Sequence, residues 1–139
     1  MTRLVLAPSQ CTQIEQAARA AFPRECCGLI EGVREGDTIR VTDIHPTRNI
    51  AERADRFEID PAEHFALLRK ARDAGRAIVG CYHSHPSGGS DPSAHDRAMS
   101  GEIGFVWLVI GVSASVAGPL KAFADDGRRF VPLELAASF

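Results

Sequence analysis

Apolar and polar positions along this chain switch repeatedly between a two-residue and a three-to-four-residue period. Arg3 to Leu6 is a short apolar run that predicts a strand. From Pro8-Ser9 to about Ala21 the apolar positions Ile14, Ala17, Ala18 and Ala21 recur at helical steps, and Pro23 ends that helix. Cys26 to Val33 predicts a strand, Glu35-Gly36-Asp37 its hairpin turn, and the alternating stretch Thr38 to Ile44 the returning strand. Pro46 to Asp55 is a polar loop, followed by a short extended piece, Arg56 to Ile59.

Asp60-Pro61 opens a second helix, with Asp60 as the cap and Pro61 in its first position, carrying Phe65, Leu68 and the alanines up to Gly75. Ala77 to His83 predicts a strand that leads into a Gly/Ser/Pro loop, Pro86 to Pro92. Ser93 predicts the cap of a third helix running to about Ser100. Phe105 to Val112 is the most apolar stretch and predicts a central strand. Leu120 to Ala124 and Arg129 to Leu135 form a last hairpin around Asp125-Asp126-Gly127. With no repeat or linker, the order predicts one mixed α/β domain over 1–139, a curved sheet flanked by helices.

Composition narrows the function classes. With 139 residues, 45% hydrophobic and 24% charged, the chain suffices for one hydrophobic core. Its net charge of -2 supplies no field for holding nucleic acid or an anionic membrane. No apolar run reaches the roughly 20 residues needed to span a bilayer, and the start lacks a signal-peptide pattern, so a cytoplasmic protein is expected. Cys11, Cys26, Cys27 and Cys81 show no C-x-x-C spacing and read as reduced, mostly buried thiols. Oligomeric state is left open by the sequence.

The chemistry concentrates in His83-Ser-His85-Pro-Ser-Gly-Gly-Ser-Asp-Pro-Ser93-Ala-His-Asp96. Residues two apart on a strand face the same side, so His83 and His85 can occupy adjacent corners of a metal site. Asp96 falls on the first turn of the next helix, and the Gly88-Gly89 loop allows that turn to fold back over the imidazoles. Two nitrogen donors and one oxygen donor suit zinc, with a fourth position left for water. Glu25, leading into the Cys26 strand, is the candidate general acid/base, and Ser93 a candidate hydroxyl donor to an oxyanion as well as a helix cap. Asp91 and His95 read as exposed loop residues, His45 and His64 as ordinary surface or half-buried histidines, and Trp107 as core.

His83-Ser-His85, seven residues, Ser93, two residues and Asp96 resembles the JAMM motif of the JAB/MPN/Mov34 metalloproteases. Pro23-Arg-Glu25-Cys-Cys-Gly28-Leu-Ile resembles the segment carrying that family's catalytic glutamate, and Gly80-Cys81-Tyr82 its Gly-Trp-Tyr. The resemblance implies a cytidine-deaminase-like JAB/MPN fold, zinc on His83, His85 and Asp96, Glu25 as acid/base, and Ser93 at the oxyanion. It also implies hydrolysis after the C-terminal Gly-Gly of a ubiquitin-like or sulfur-carrier protein, whose tail is expected to lie along a strand edge near the site. The alternatives are an MPN-type interaction module without catalysis and a RadC-like DNA-processing relative. A zinc nucleoside deaminase would need H-x-E and a later P-C-x-x-C, which the chain lacks.

Overall fold

The computed structural model describes residues 2–99, 101–114 and 116–137. Strands β1 (Arg3–Leu6), β2 (Cys27–Glu35), β3 (Thr38–Thr47), β4 (Ala77–His85), β5 (Val106–Val112), β6 (Ala117–Asp125) and β7 (Phe130–Ala137) alternate with α1 (Pro8–Ala21), α2 (Pro61–Asp73) and α3 (Ala94–Ala98). The strands form one closed mixed sheet in the order β1-β3-β2-β4-β5-β6-β7. β4–β5, β1–β3 and β1–β7 run parallel; the other pairs are antiparallel. The expected mixed α/β architecture is present. β3 and β4 each extend beyond the predicted ends, and β4 takes in both His83 and His85. The Ser100 end of the third predicted helix lies outside the described residues.

β4 pairs with β2 as far as His83 on one side and with β5 as far as His85 on the other.

Two apolar clusters cover the two faces of the sheet. One gathers Leu4, Leu6, Ile14, Ala18, Ile30, Tyr82, Leu108 and Ile110 under α1. The other gathers Leu29, Phe57, Ala71, Ile78, Cys81, Trp107 and Val109 on the α2 side. On α2 the inward face is His64, Leu67 and Ala71, while Phe65 and Leu68 are exposed.

The register between β2 and β4 shifts between Ile30 and Glu31, which pair with Gly80 and Ile78 and leave Val79 as the extra residue. A bulge of this kind re-aims every side chain after it. Ile78 and Cys81 therefore share the α2-side cluster, while Val79 and Tyr82 share the other. Continuing that alternation sends His83 and His85 to the α2 side and Ser84 to the opposite one. Among the described residues no helix is long and apolar enough to cross a membrane.

Candidate metal centre

β4 ends at the site, and β4 is held there by parallel pairing of His83 with Val109 and of His85 with Gly111. The Nε2 atoms of His83 and His85 lie 2.9 Å apart, and Asp96 Oδ2 lies 2.9 Å from the first and 3.0 Å from the second. All three side chains are buried. Asp96 reaches the histidines because α3 is fixed by a reciprocal cap. Ser93 Oγ accepts from the Asp96 backbone N–H at 3.0 Å, and the Ser93 N–H donates to Asp96 Oδ2 at 2.9 Å. Ser93 Oγ thus spends a lone pair on the cap and keeps its proton for another acceptor.

Three donor atoms at mutual distances of 2.9–3.0 Å cannot all be satisfied by protons. Two imidazole N–H groups aimed at one carboxylate oxygen would oppose each other, whereas lone pairs converging on one cation would not. Corners of a tetrahedral zinc site with bonds of about 2.0–2.1 Å stand roughly 3.4 Å apart, so the triangle needs only slight expansion to accept one. The residues present fit such an ion. Glu25 approaches the same point: a carboxylate oxygen of Glu25 and a ring nitrogen from each histidine lie within 4.8 Å of one another.

The surroundings set the protonation of each group. Burial disfavours the charged form of His83 and outweighs the pull of Asp96, so its pKa falls and the ring stays neutral. For His85, burial works the same way, but Asp96, Glu25 and a hydrogen bond to the Gly89 backbone outweigh it and raise its pKa. Burial opposes ionisation of Asp96, yet the two imidazoles beside it and the Ser93 backbone N–H hold it well below the usual carboxylate range. Burial pushes Glu25 up to about 7, against His85 and with help from Asp96 and Asp55. A carboxyl that titrates near neutrality can both take and return a proton.

Glu25, His85 and Ser93 open on a cleft of about 460 Å³ whose other walls include Pro23, Ala54, Asp55, Arg56, Pro86, Ser87 and His95. The structure therefore brings together all five sequence-predicted residues, Glu25, Ser93, His83, His85 and Asp96. His95, expected in an exposed loop, instead sits half-buried on α3 and lines the cleft. Asp91 is exposed and pairs with Lys121. His45 is half-buried against Glu31, and Trp107 is core.

Two neighbours went unnoticed in the sequence. Phe57 is an apolar residue in a short extended stretch, where only its alternation with Ile59 hinted at burial. Asn49 sits in the polar loop, and nothing about its type or position marked it.

A family model described as prokaryotic homologs of the JAB domain matches residues 9–126. The chain is 36% identical over 115 residues to a desampylase of Haloferax volcanii, covering 82% of this chain and 78% of that protein. It superposes on the solution structure of a Desulfitobacterium hafniense protein with a TM-score of 0.86 and 27% identity, over 97% of this chain and 92% of that one. A JAB1/MPN domain protein of Archaeoglobus fulgidus shares the fold alone, with a TM-score of 0.57 and 19% identity over 98% and 97% of the two chains.

Proposed function

The chain belongs to the prokaryotic JAB family, and from that premise we propose that it is a zinc-dependent peptidase. It hydrolyses the peptide or isopeptide bond after the C-terminal Gly-Gly of a ubiquitin-like or sulfur-carrier protein in the cytoplasm, as a single JAB/MPN domain over 1–139. The observation that carries the reading is the convergence of His83 Nε2, His85 Nε2 and Asp96 Oδ2 within 2.9–3.0 Å, with the Glu25 carboxylate beside them at the mouth of a cleft. The carrier substrate and its Gly-Gly tail rest on family membership and on the relative named a desampylase.

His83, His85 and Asp96 would hold zinc, which supplies a Lewis acid and makes water acidic enough to yield hydroxide near neutral pH. Glu25 takes the proton of the attacking water at its carboxylate and returns it to the leaving amine. The hydroxyl proton of Ser93, left free by the cap geometry, points its donor capacity at the developing oxyanion. The substrate tail enters through the cleft between Ala54–Arg56 and Pro86-Ser87.

The test is incubation of zinc-loaded protein with a ubiquitin-like protein joined through its C-terminal Gly-Gly to a fluorescent lysine peptide. Release of the peptide, with the carrier's mass ending at the second glycine, is expected. An intact probe, or cleavage that survives removal of zinc by a chelator, overturns the reading. Retention of all three candidate ligands and of Glu25 favours this over a non-catalytic interaction module.

A further inference from the structure

The peptide bond directly after Glu25 is gripped at both ends by side chains. Its carbonyl, that of Glu25, accepts from Asn49 Nδ2 at 3.0 Å. Its N–H, that of Cys26, donates to Ser84 Oγ at 2.8 Å. Ser84 is fully buried, and its own backbone N–H donates to the Cys26 carbonyl at 3.2 Å. A peptide unit is planar and rigid. Holding both its polar groups therefore fixes the direction in which the preceding Cα sends its side chain.

Each holder also reaches another part of the site. Ser84 lies between His83 and His85 in sequence and points to the opposite side of β4. It thereby ties the segment that leads from Glu25 into β2 to the strand carrying both imidazoles. Asn49 uses its full capacity of two donors and two acceptor lone pairs. Besides the Glu25 carbonyl, its amide donates to the Arg56 carbonyl at 2.9 Å, and its Oδ1 accepts from Ala51 N–H at 2.9 Å and Glu58 N–H at 3.0 Å. These bonds fold the 50–58 segment, which supplies Ala54, Asp55 and Arg56 to the cleft wall.

We infer that Ser84 and Asn49 are positioning residues that act through Glu25, clamping the Glu25–Cys26 peptide so that the carboxylate stands over the site formed by His83, His85 and Asp96. The inference rests on the reading of Glu25 as the acid/base. Partners one shell removed from reacting groups typically carry about 10–100-fold in activity. The two holders differ in reach: the Ser84 hydroxyl meets Cys26, whereas the Asn49 amide also shapes the substrate wall.

The experiment compares Ser84→Ala and Asn49→Asp, the latter removing the amide donor while keeping an acceptor oxygen. Each is made in the wild-type and the Glu25→Gln background and assayed with the Gly-Gly isopeptide probe. Ser84→Ala is expected to lower kcat about 10–100-fold with KM and zinc content unchanged. Asn49→Asp is expected to lower kcat and also raise KM. In the Glu25→Gln background Ser84→Ala should cost nothing further, because groups that act as a unit are not additive. Equal fold-losses in both backgrounds would mean a merely structural role and overturn the inference.

Amide hydrogen exchange supplies a readout independent of catalysis. In Ser84→Ala the Cys26 N–H should exchange faster relative to the Leu29 N–H, three residues further along the chain in β2. An unchanged ratio sinks the clamp even if the probe is never cleaved. A wild-type protein that ignores the probe sinks the peptidase reading and leaves the exchange ratio to decide the clamp. Should Ser84→Ala fail to fold, the kcat and KM pair for Asn49→Asp decides it.

Discussion

The ring of Phe57 stacks on the imidazole of His83, with centroids 4.5 Å apart and planes inclined by 23°. Trp107 closes the other approach edge-on, its ring centroid 5.9 Å from that of His83 at 89°. A fully buried histidine is thus held by aromatic walls as well as by Asp96. That packing keeps the ring neutral and its Nε2 aimed at one point. Phe57→Ala should therefore do two things. It should lower stability by about 3–5 kcal/mol, as expected for emptying a buried phenylalanine site. It should also weaken zinc binding, measured by competition with a chelator. Unaltered zinc affinity in a folded Phe57→Ala protein would show that Asp96 and the strand alone hold His83.

Metal removal should be visible in stability, independent of any substrate. An ion bound only by the folded state at a hundredfold excess over its Kd adds about 2.7 kcal/mol. Zinc added to chelator-treated wild type should raise Tm accordingly. His83→Ala, His85→Ala and Asp96→Asn should each lose the increment. Asp96→Asn is the most informative, because an amide retains an oxygen for the Ser93 cap but not the charge. An increment of full size in all three variants would place the metal elsewhere.

Glu25→Gln separates binding from chemistry. Glutamine fills the same volume and cannot accept a proton, so zinc content should stay at wild-type level. Turnover should fall about 10²–10⁴-fold, the usual share of general acid–base catalysis. Cleavage at wild-type rate by the zinc-loaded variant would remove Glu25 from the mechanism.

The candidate site was legible in the sequence because its candidate ligands lie in one short segment. H-x-H on a strand and S-x-x-D at a helix start are local patterns whose geometry follows from element type alone. Asp96 converges on the histidines through the same cap that Ser93 announced. Which way the histidines face was not legible. The alternation starting at Ile78 would place even-numbered residues on the α2 side, and only the bulge at Val79 hands that face to His83 and His85. A bulge depends on the partner strand, which no local pattern encodes. The closure of the sheet through parallel pairing of β1 with β7 is likewise a long-range contact that no local pattern encodes. Asn49 escaped notice for the same reason: its partners, Glu25, Ala51, Arg56 and Glu58, meet only after folding.

Acid stability should turn on Glu31, a buried carboxylate on β2 between His45 and Arg76. Burial opposes its charge, but hydrogen bonds from His45 and Arg76 outweigh that and lower its pKa. A depressed folded pKa means the unfolded chain takes up the proton first. The stabilisation is thus complete above the unfolded value of about 4.3 and lost as pH falls through the folded one. Glu31→Gln should cost about 1–3 kcal/mol at pH 7. The gap between the two urea midpoints should close as pH drops below about 4.3. A gap that persists unchanged into acid would mean that packing, not charge, makes Glu31 matter.

Gly111 should prove as important to the metal centre as a second-row residue can be, through backbone contact alone. It sits opposite His85 in the β4–β5 register. A Cβ added there would lie 2.2 Å from the carbonyl oxygen of Gly88, a backbone atom that cannot swing aside. The loop it would strike is pinned: Gly111 N–H donates to Ser90 Oγ at 3.0 Å, and Ser90 Oγ donates to the Pro119 carbonyl at 2.6 Å. The same loop is tied to His85 by the Gly88 N–H, which donates to the His85 carbonyl at 3.0 Å. Gly111→Ala must therefore push residues 88–90 outward and take His85 with them. A loss of about 1–3 kcal/mol is expected from overpacking, together with weaker zinc binding and slower turnover. Gly89→Ala is the matched control, since a Cβ there meets open space. It should leave zinc affinity unchanged. Equal zinc affinities for the two variants would show that the loop yields without disturbing His85, and that β4 alone sets the ring's position.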